Sequence, residues 1–442
     1  MASQKILFYS ITVALAGFLF GFDTVVISGA DMALQTLWPR GEVFHGFVVM
    51  SSALWGTLIG AIFGSIPSDK LGRKKTLILI GIFYFISALG SALAQDPWMF
   101  GFFRFIGGLA IGASTIAAPA YISEIAPAAK RGKLVALYQL NIVLGILIAF
   151  LSNFLLSDIG EQAWRWMLGV QVIPALIYIS LVWMITESPR WLLIKKKDKE
   201  AARKAFNIIN PAVDADEEIN SILTSQEKSG VNETIFMQKY RLPLMLAFLI
   251  AFFNQFSGIN AFLYYAPRIF EIAGLEKSSA LLSSIGIGLT NLVFTIIGML
   301  LIDRIGRRQL MYIGSVGYII SLSMIALAFY MDWQGMSVPG FLFLFIASHA
   351  IGQGTVIWVF IAEIFPNHLR ANGQAFGSSV HWLLAAIIPS LMPWLIKSLG
   401  ITSVFAFFAF MMVLQLIFVW RMMPETKGTS LEDIGKKLEV QL

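Results

Sequence analysis

The 442-residue sequence has no cysteine. That excludes a disulfide framework and thiolate chemistry, though it says little about compartment. Charge is scarce as well: Asp, Glu, Lys and Arg make up 13% of the residues, against roughly 25% in an ordinary soluble domain. There are four histidines, and no metal-ligand spacing, phosphate loop or nucleophile–base signature, so nothing supports an enzyme, a cofactor or a bound metal. What is abundant is hydrocarbon, with 57% hydrophobic residues and a mean hydropathy of +0.75.

Apolar runs of the ~20 residues needed to cross a bilayer recur near 6–29, 44–67, 76–94, 98–121, 134–156 and 167–186. A second set follows near 243–265, 280–302, 310–330, 339–362, 372–396 and 401–423. In lipid the backbone must satisfy its own hydrogen bonds, so these runs are helices. The first lacks a small-residue cleavage site and carries Asp23, which argues against a secretory signal. The net charge of +6 does not point to nucleic acid, because the cations are sided. If the amino terminus is cytoplasmic, only Arg40, Arg165, Arg268, Lys277 and Lys397 fall on the far face and only Arg104 lies within a span. The rest fall on the cytoplasmic side, which the positive-inside rule makes the expected orientation for both termini.

The chain also repeats itself. SDKLGRKK (68–75) recurs as IDRIGRRQ (302–309), ISEIAPAAKRG (122–132) as IAEIFPNHLRA (361–371), and TESPR (186–190) more loosely as PETKG (424–428). The offsets are 234, 239 and 238 residues. Six spans per copy, an even number, bring both copies in from the same side as parallel repeats. The expected organisation is a six-helix bundle over 1–190, a cytoplasmic linker over 191–240, a second bundle over 241–423 and a tail over 424–442. Ala202, Ala205, Phe206 and Ile209 keep a helical stripe, so the linker should form short helices. Its basic run (KKKDKEAARK) reads as a solvated face near anionic lipid.

Two groups of residues carry chemistry. An Asp in mid-bilayer costs about 2.5 to 3.5 kcal/mol even on the lenient insertion scale, and Asp23 needs a partner. Arg104, deep in the fourth span, is the one base placed to supply it. On charge chemistry alone, stapling two helices and coupling to a proton stand level. The second group is the stretch FNQFSGINAFLYYAP (253–267), where Asn254, Gln255 and Asn260 offer uncharged donors and acceptors. On an ideal helix Gln255 and Asn260 point about 140° apart, but Gly258 between them permits a break that would converge them. Amides of this kind suit a neutral polyhydroxylated ligand. Gly56, Gly60 and Gly64, with Gly108 and Gly112, recur every fourth residue and let helices approach closely.

GFDTVVISGA, DKLGRKK, RFIGG, YISEIAPAAKRGKL, TESPRWLL, NQFSGINAFLYYAP, DRIGRR, AEIFPNHLRA and PETKGTSLE run from Gly21 to Glu432 in one order. In these the sequence resembles the sugar porters of the major facilitator superfamily. The resemblance implies an all-α membrane protein of twelve transmembrane helices in two parallel six-helix bundles, with short cytoplasmic helices between them. It also implies alternating access to one hexose- or pentose-sized site. Proton-coupled members carry an acid and a base where this chain has Asp23 and Arg104, so the resemblance favours proton coupling. It places Phe20, Gln139, Gln255, Asn260, Tyr264, Asn291 and Trp358 at sugar-binding positions. It also places Asp69, Arg73, Glu124, Arg131, Glu187, Asp303, Arg307, Glu363, Arg370 and Glu425 in a latch on the cytoplasmic side. Asn254 and His381 depart from the family pattern, where amides one methylene longer or in place of the imidazole are usual. His381, next to Trp382, is expected to line the pocket as a neutral ring.

The expected function is symport of a monosaccharide with protons by a monomeric, multi-pass protein of the cell inner membrane, its partners being the sugar, protons and the lipid bilayer. A facilitative uniporter is the main alternative. A sugar sensor is disfavoured because only Met423–Leu442 follows the last span. A drug antiporter would be expected to have an aromatic, acidic pocket rather than amides.

Overall fold

The structure is a computed structural model, and it describes residues 2–429 apart from 128–129, 212–213, 228–232, 334 and 367. Most of the expected tail, 430–442, lies outside the described residues. Every regular element among the described residues is helical. Among the described residues eleven helices are long and apolar enough to cross a membrane, and twelve if the bent pair Glu42–Met50 with Ser52–Phe63 is counted as one span. Large apolar side chains such as Phe102, Trp183, Leu300 and Trp420 are left on the outside, where hydrocarbon rather than water is the solvent.

The second span was expected as one helix near 44–67. It is instead bent by 47° between its two pieces. His45–Met50 wind in wider turns, closed by the Ser51 amide donating to Gly46 O at 3.0 Å, and such π-turns are a recognised cause of kinks. Gly46 is packed so that a Cβ there would lie 1.9 Å from the carbonyl oxygen of Ser390.

Contacts group the chain into two compact units: Met1–Val26, Ser52–Ala149 and Ile159–Val231 in unit 1, and Ile27–Ser51, Phe150–Asp158 and Asn232–Leu442 in unit 2. Their internal packing repeats. In unit 1 Ser52–Phe63 and Arg73–Leu93 both pack on Pro97–Ile125, and Arg73–Leu93 also packs on Val172–Met184. In unit 2 Lys277–Ile305 and Arg307–Tyr330 both pack on Ser337–Ile351, and Arg307–Tyr330 on Ile401–Arg421. The same scheme therefore serves both copies. The small residues set the spacing in unit 1: a Cβ on Gly108 would lie 1.9 Å from Ala53 O, and one on Gly56 2.2 Å from Phe105 O. Backbones meet directly there, as the every-fourth-residue glycines led us to expect.

Sequence punctuation fixes the helix ends. Asp96 caps Pro97–Ile125 by accepting from the amides of Trp98 and Met99 at 2.9 and 3.0 Å, with Pro97 in the first turn where its missing N–H costs nothing. The linker forms three helices, Pro189–Ile194, Lys199–Ile209 and Ala215–Glu227. Leu193, Ala202 and Ile219 make a small core with Phe206 and Ile222 packed against it, which is the stripe read from the sequence.

Candidate functional site

In unit 1, Asp23 is in the last turn of Ala2–Val26 and Arg104 about two turns into Pro97–Ile125. Arg104 Nη1 donates to Asp23 Oδ1 at 2.7 Å, and Nη2 donates to the backbone oxygen of Asp23 at 2.9 Å. A carbonyl oxygen has two lone pairs and can accept this side-chain donor beside a backbone one. Asp23 and Arg104 have side-chain exposures of 0% and 1%. The pairing expected from sequence is present: the guanidinium engages Oδ1 of the carboxylate, and Gln171 is a second side chain that hydrogen-bonds Asp23. A Cβ on Gly107 would lie 3.6 Å from Asp23 Oδ2 and 2.3 Å from Ser87 Oγ, so the second carboxylate oxygen and Ser87 of the third span both lie beside this glycine. Buried Gln171 also reaches the first span, its Nε2 3.4 Å from Leu19 O. Neither Ser87 nor Gln171 was singled out from sequence. Phe20, on the first span, and Gln139, on Arg131–Leu156, are half-buried.

In unit 2, Gly258 breaks the seventh span as anticipated. Its φ of +84° ends Arg241–Phe256 and lets Ile259–Ile272 start in a new direction, a geometry glycine adopts without strain. Asn260 Nδ2 then donates to Gln255 Oε1 at 2.8 Å, and Gln255 Nε2 donates to Asn254 Oδ1 at 2.9 Å. Gln255 Nε2 also lies 3.2 to 3.3 Å from the ring nitrogens of His381. An amide N–H bonded there needs a bare ring nitrogen, which fits a neutral imidazole. The His381 ring is 5.1 Å from Trp358 and 4.9 Å from Trp382, centroid to centroid. Asn254, Gln255, Asn260, Trp358, His381 and Trp382 are thus brought together. Tyr264 is buried one turn beyond Asn260, and Asn291 is buried on Lys277–Ile305, where Thr295 Oγ1 donates to it at 3.4 Å.

Sequence reasoning missed the support behind this cluster. Asn254 Nδ2 reaches Gln353 Oε1 at 3.4 Å, Gln353 Nε2 donates to Gln415 Oε1 at 2.9 Å, and Gln415 Nε2 donates to Ser315 Oγ at 2.8 Å. All four side chains are buried. The signal was present, since Gln353 and Gln415 interrupt apolar spans just as Gln255 does.

The paired basic motifs form one charge network in each unit. In unit 1 Arg73 bonds Glu124 at 3.0 Å and Asp69 at 2.9 Å, while Glu187 Oε1 accepts from the amides of Arg73 and Lys74 at 2.9 and 3.1 Å. In unit 2 Arg307 bonds Glu363 at 2.8 Å and Asp303 at 3.0 Å, and Glu425 accepts from the amides of Arg307 and Arg308, both at 3.0 Å. Glu187 and Glu425 therefore cap helix N-termini from a distance, where negative charge is favoured. A Cβ on Gly72 would lie 2.3 Å from Glu187 Oε2, and one on Gly306 2.6 Å from Glu425 Oε2. The carboxylates need glycine at these points. Ser188 and Thr426, also missed, complete the match by donating to Glu124 and Glu363 at 2.5 and 2.6 Å.

Burial holds the Glu187 carboxyl above its ordinary value although the backbone amides of Ser188, Lys74 and Arg73 donate to it. For Asp69 burial acts in the same sense, but hydrogen bonds from Lys195 and Arg73 outweigh it and leave the carboxyl below its ordinary value. Of the remaining expected network members, Arg131 is exposed and forms no ion pair among the described residues, and Arg370 begins the helix Arg370–Leu399.

Residues 9–438 match the family model described as sugar (and other) transporter. The chain belongs to this sugar transporter family. Among its relatives, the arabinose-proton symporter of Bacillus subtilis is 36% identical over 440 residues, covering 98% of this chain and 94% of the relative. The glucose transporter GlcP of Staphylococcus epidermidis is 38% identical over 445 residues, with 99% and 98% covered. Among solved structures, the E. coli xylose transporter XylE in a partially occluded inward-open conformation superimposes with a TM-score of 0.86 at 30% identity, covering 97% of this chain and all of that one. XylE bound to 6-bromo-6-deoxy-D-glucose, a proton:xylose symporter of the major facilitator superfamily, gives 0.79. The family is one of transporters, so the chain is a multi-pass membrane carrier and not an enzyme.

Proposed function

We propose that this chain imports a monosaccharide, a pentose or hexose, together with a proton, by alternating access. The observation that carries the proposal is the Asp23–Arg104 pair: a fully buried ion pair in which the guanidinium engages only one of the two carboxylate oxygens. A proton arriving on Oδ2 neutralises Asp23 and releases Arg104 from an ionic to a weaker neutral contact, which changes how the first and fourth spans hold each other. Loss of the proton toward the cytoplasm restores the pair. The amide cluster around Gln255 is the reading's sugar site, with Trp358 as an apolar surface for the C–H face and Phe20, Gln139, Tyr264 and Asn291 as further contacts. The relatives named as symporters of arabinose and xylose with protons, and the carrier named for glucose, support that substrate class.

One proton moving down 100 mV releases about 2.3 kcal/mol, so a sugar could be concentrated roughly 50-fold before any pH gradient is added. The bias of Lys and Arg supports cytoplasmic termini in a cell membrane, and the reading takes the working unit as a monomer. The charge networks around Arg73 and Arg307 are assigned to closure of the cytoplasmic side. The test is reconstitution in liposomes with arabinose, xylose and glucose added one at a time. Sugar addition should draw protons in and alkalinise the outside; sugar uptake with no proton movement for any of them would contradict symport and leave a uniporter.

A further inference from the structure

At the end of unit 2 away from Arg307 lies a second group of buried charges that the coupling reading does not use. Asp31 opens the short helix Asp31–Leu37, His45 opens the bent part of the second span, and Arg268 lies on Ile259–Ile272, three residues after the point where Tyr265 leaves helical geometry. Arg268 Nη2 donates to Asp31 Oδ1 at 2.9 Å, Arg268 Nε lies 2.6 Å from Oδ2, and His45 Nε2 bonds Oδ1 at 2.6 Å. Asp31 and His45 are each 1% exposed and Arg268 13%. Around them Gln35 accepts from Arg268 and donates to Glu42 at 2.7 Å, and Lys397 pairs with Glu42 at 3.2 Å. Tyr265 lies beneath the guanidinium, 5.7 Å from centroid to Cζ, and its hydroxyl donates to Pro389 O at 3.0 Å.

These contacts tie three distant stretches of sequence together: residues 27–51, the outer half of the seventh span and the end of the eleventh. Residues 27–51 are joined by peptide bonds at both ends to segments of unit 1, between Val26 and Ile27 and between Ser51 and Ser52. We propose that Asp31, His45 and Arg268, with Gln35, Glu42 and Lys397 at the rim, form a charge latch that closes the transport path on the side opposite the paired basic motifs. The proposal rests on the alternating-access reading above.

The chemistry suits a contact that must open and close. An apolar plug would lose its burial on every opening. A buried ion pair, by contrast, exchanges its partner for water when opened, so its closed and open forms lie close in free energy. Removing one member tips that balance, because the other charge is then held in the closed form without a partner. The latch is also positioned to act early in the broken span, since Arg268 follows Asn260 by about two helical turns on the same helix.

The absence of native cysteine makes the test direct. Leu37 and Leu399 are exposed and outside the latch, and Leu37→Cys/Leu399→Cys carries a spin-label pair across the seam between residues 27–51 and the eleventh span. In the full-length parent without sugar, one short-distance population should dominate. Asp31→Asn and Arg268→Gln should each add a longer-distance population several times larger than the parent's. The double variant should shift no further than either single one, because the two act as one pair. If Asp31→Asn misassembles, Glu42→Gln tests the half-buried rim with a smaller shift in the same direction. Distance distributions unchanged by these substitutions, or effects of the two single variants that simply add, would overturn the latch. Sugar-driven proton uptake by the parent, measured in parallel, reports on the transport reading alone, so failure of one is not mistaken for failure of the other.

Discussion

The two units are built on one packing scheme but have differently furnished interiors. Unit 1 encloses a full ion pair, Asp23 with Arg104, whereas the polar interior around Gln255 in unit 2 is uncharged: Asn254, Asn260, Gln353, Gln415 and a histidine that accepts from an amide. Duplication supplies two equivalent scaffolds, and divergence of a few side chains then separates two tasks. A charge in hydrocarbon is expensive and responds to a proton; a set of neutral amides is cheaper and matches hydroxyl groups that both donate and accept. The paired charge networks show the opposite outcome, because there both copies kept an arginine between an aspartate and a glutamate, with a second glutamate on the helix amides.

Breaking the ion pair should have the largest effect. Arg104→Ala leaves Asp23 buried without a partner and is expected to cost about 3 to 5 kcal/mol, read as a fall in thermal unfolding temperature in detergent. Cutting the neutral cluster should cost less in stability and more in recognition. Gln255→Ala removes the side chain that joins Asn260 to His381, and one hydrogen bond of about 1.4 kcal/mol corresponds to roughly a tenfold weaker sugar affinity, measurable by calorimetric titration. If the two variants had equal effects on stability, the contrast between the interiors would be lost.

The paired networks sharpen the comparison further. Asp69 is tied to Lys195 at 2.8 Å and its backbone oxygen accepts from Trp191 Nε1 at 2.9 Å, while the Asp303 side chain is 81% exposed and, among the described residues, pairs with Arg307 alone. Asp303→Asn should therefore fall within about 0.5 kcal/mol of the parent, and Asp69→Asn should be measurably larger by the same thermal assay. The smallest effect concerns Glu233 in the linker, which hydrogen bonds from Lys239, Tyr240 and His368 draw down to about 2. Because its folded value lies below the unfolded one, its contribution is present above about pH 4.3 and is lost only as the pH falls toward 2. Acid unfolding profiles of the parent and Glu233→Gln should superimpose in shape from pH 5 to 8 and differ below pH 4.

Much of this was legible in the sequence because it is local or repeated. Spans announce themselves by length and hydropathy, the duplicated motifs by their offset, and the break at Gly258 by a glycine between two amides that an intact helix would keep apart. Asp23 and Arg104 could be paired because each is an isolated charge in an apolar run. The Asp31–Arg268 contact could not, since the two residues are 237 positions apart and Arg268 reads as one of several cations on the outer face. The bend in the second span was equally hidden, because it falls where His45–Met50 wind in wider turns and no proline marks it. The relay through Gln353 and Gln415 sits between these cases: each residue is conspicuous alone, and only the fold shows that they connect.

The most direct test of the division of labour is Asp23→Asn in sealed liposomes, with proton movement and sugar exchange followed on the same preparation. The account predicts that sugar still exchanges across the membrane while sugar addition moves no protons and an imposed pH gradient drives no accumulation. Accumulation of sugar by Asp23→Asn in response to that gradient would contradict it.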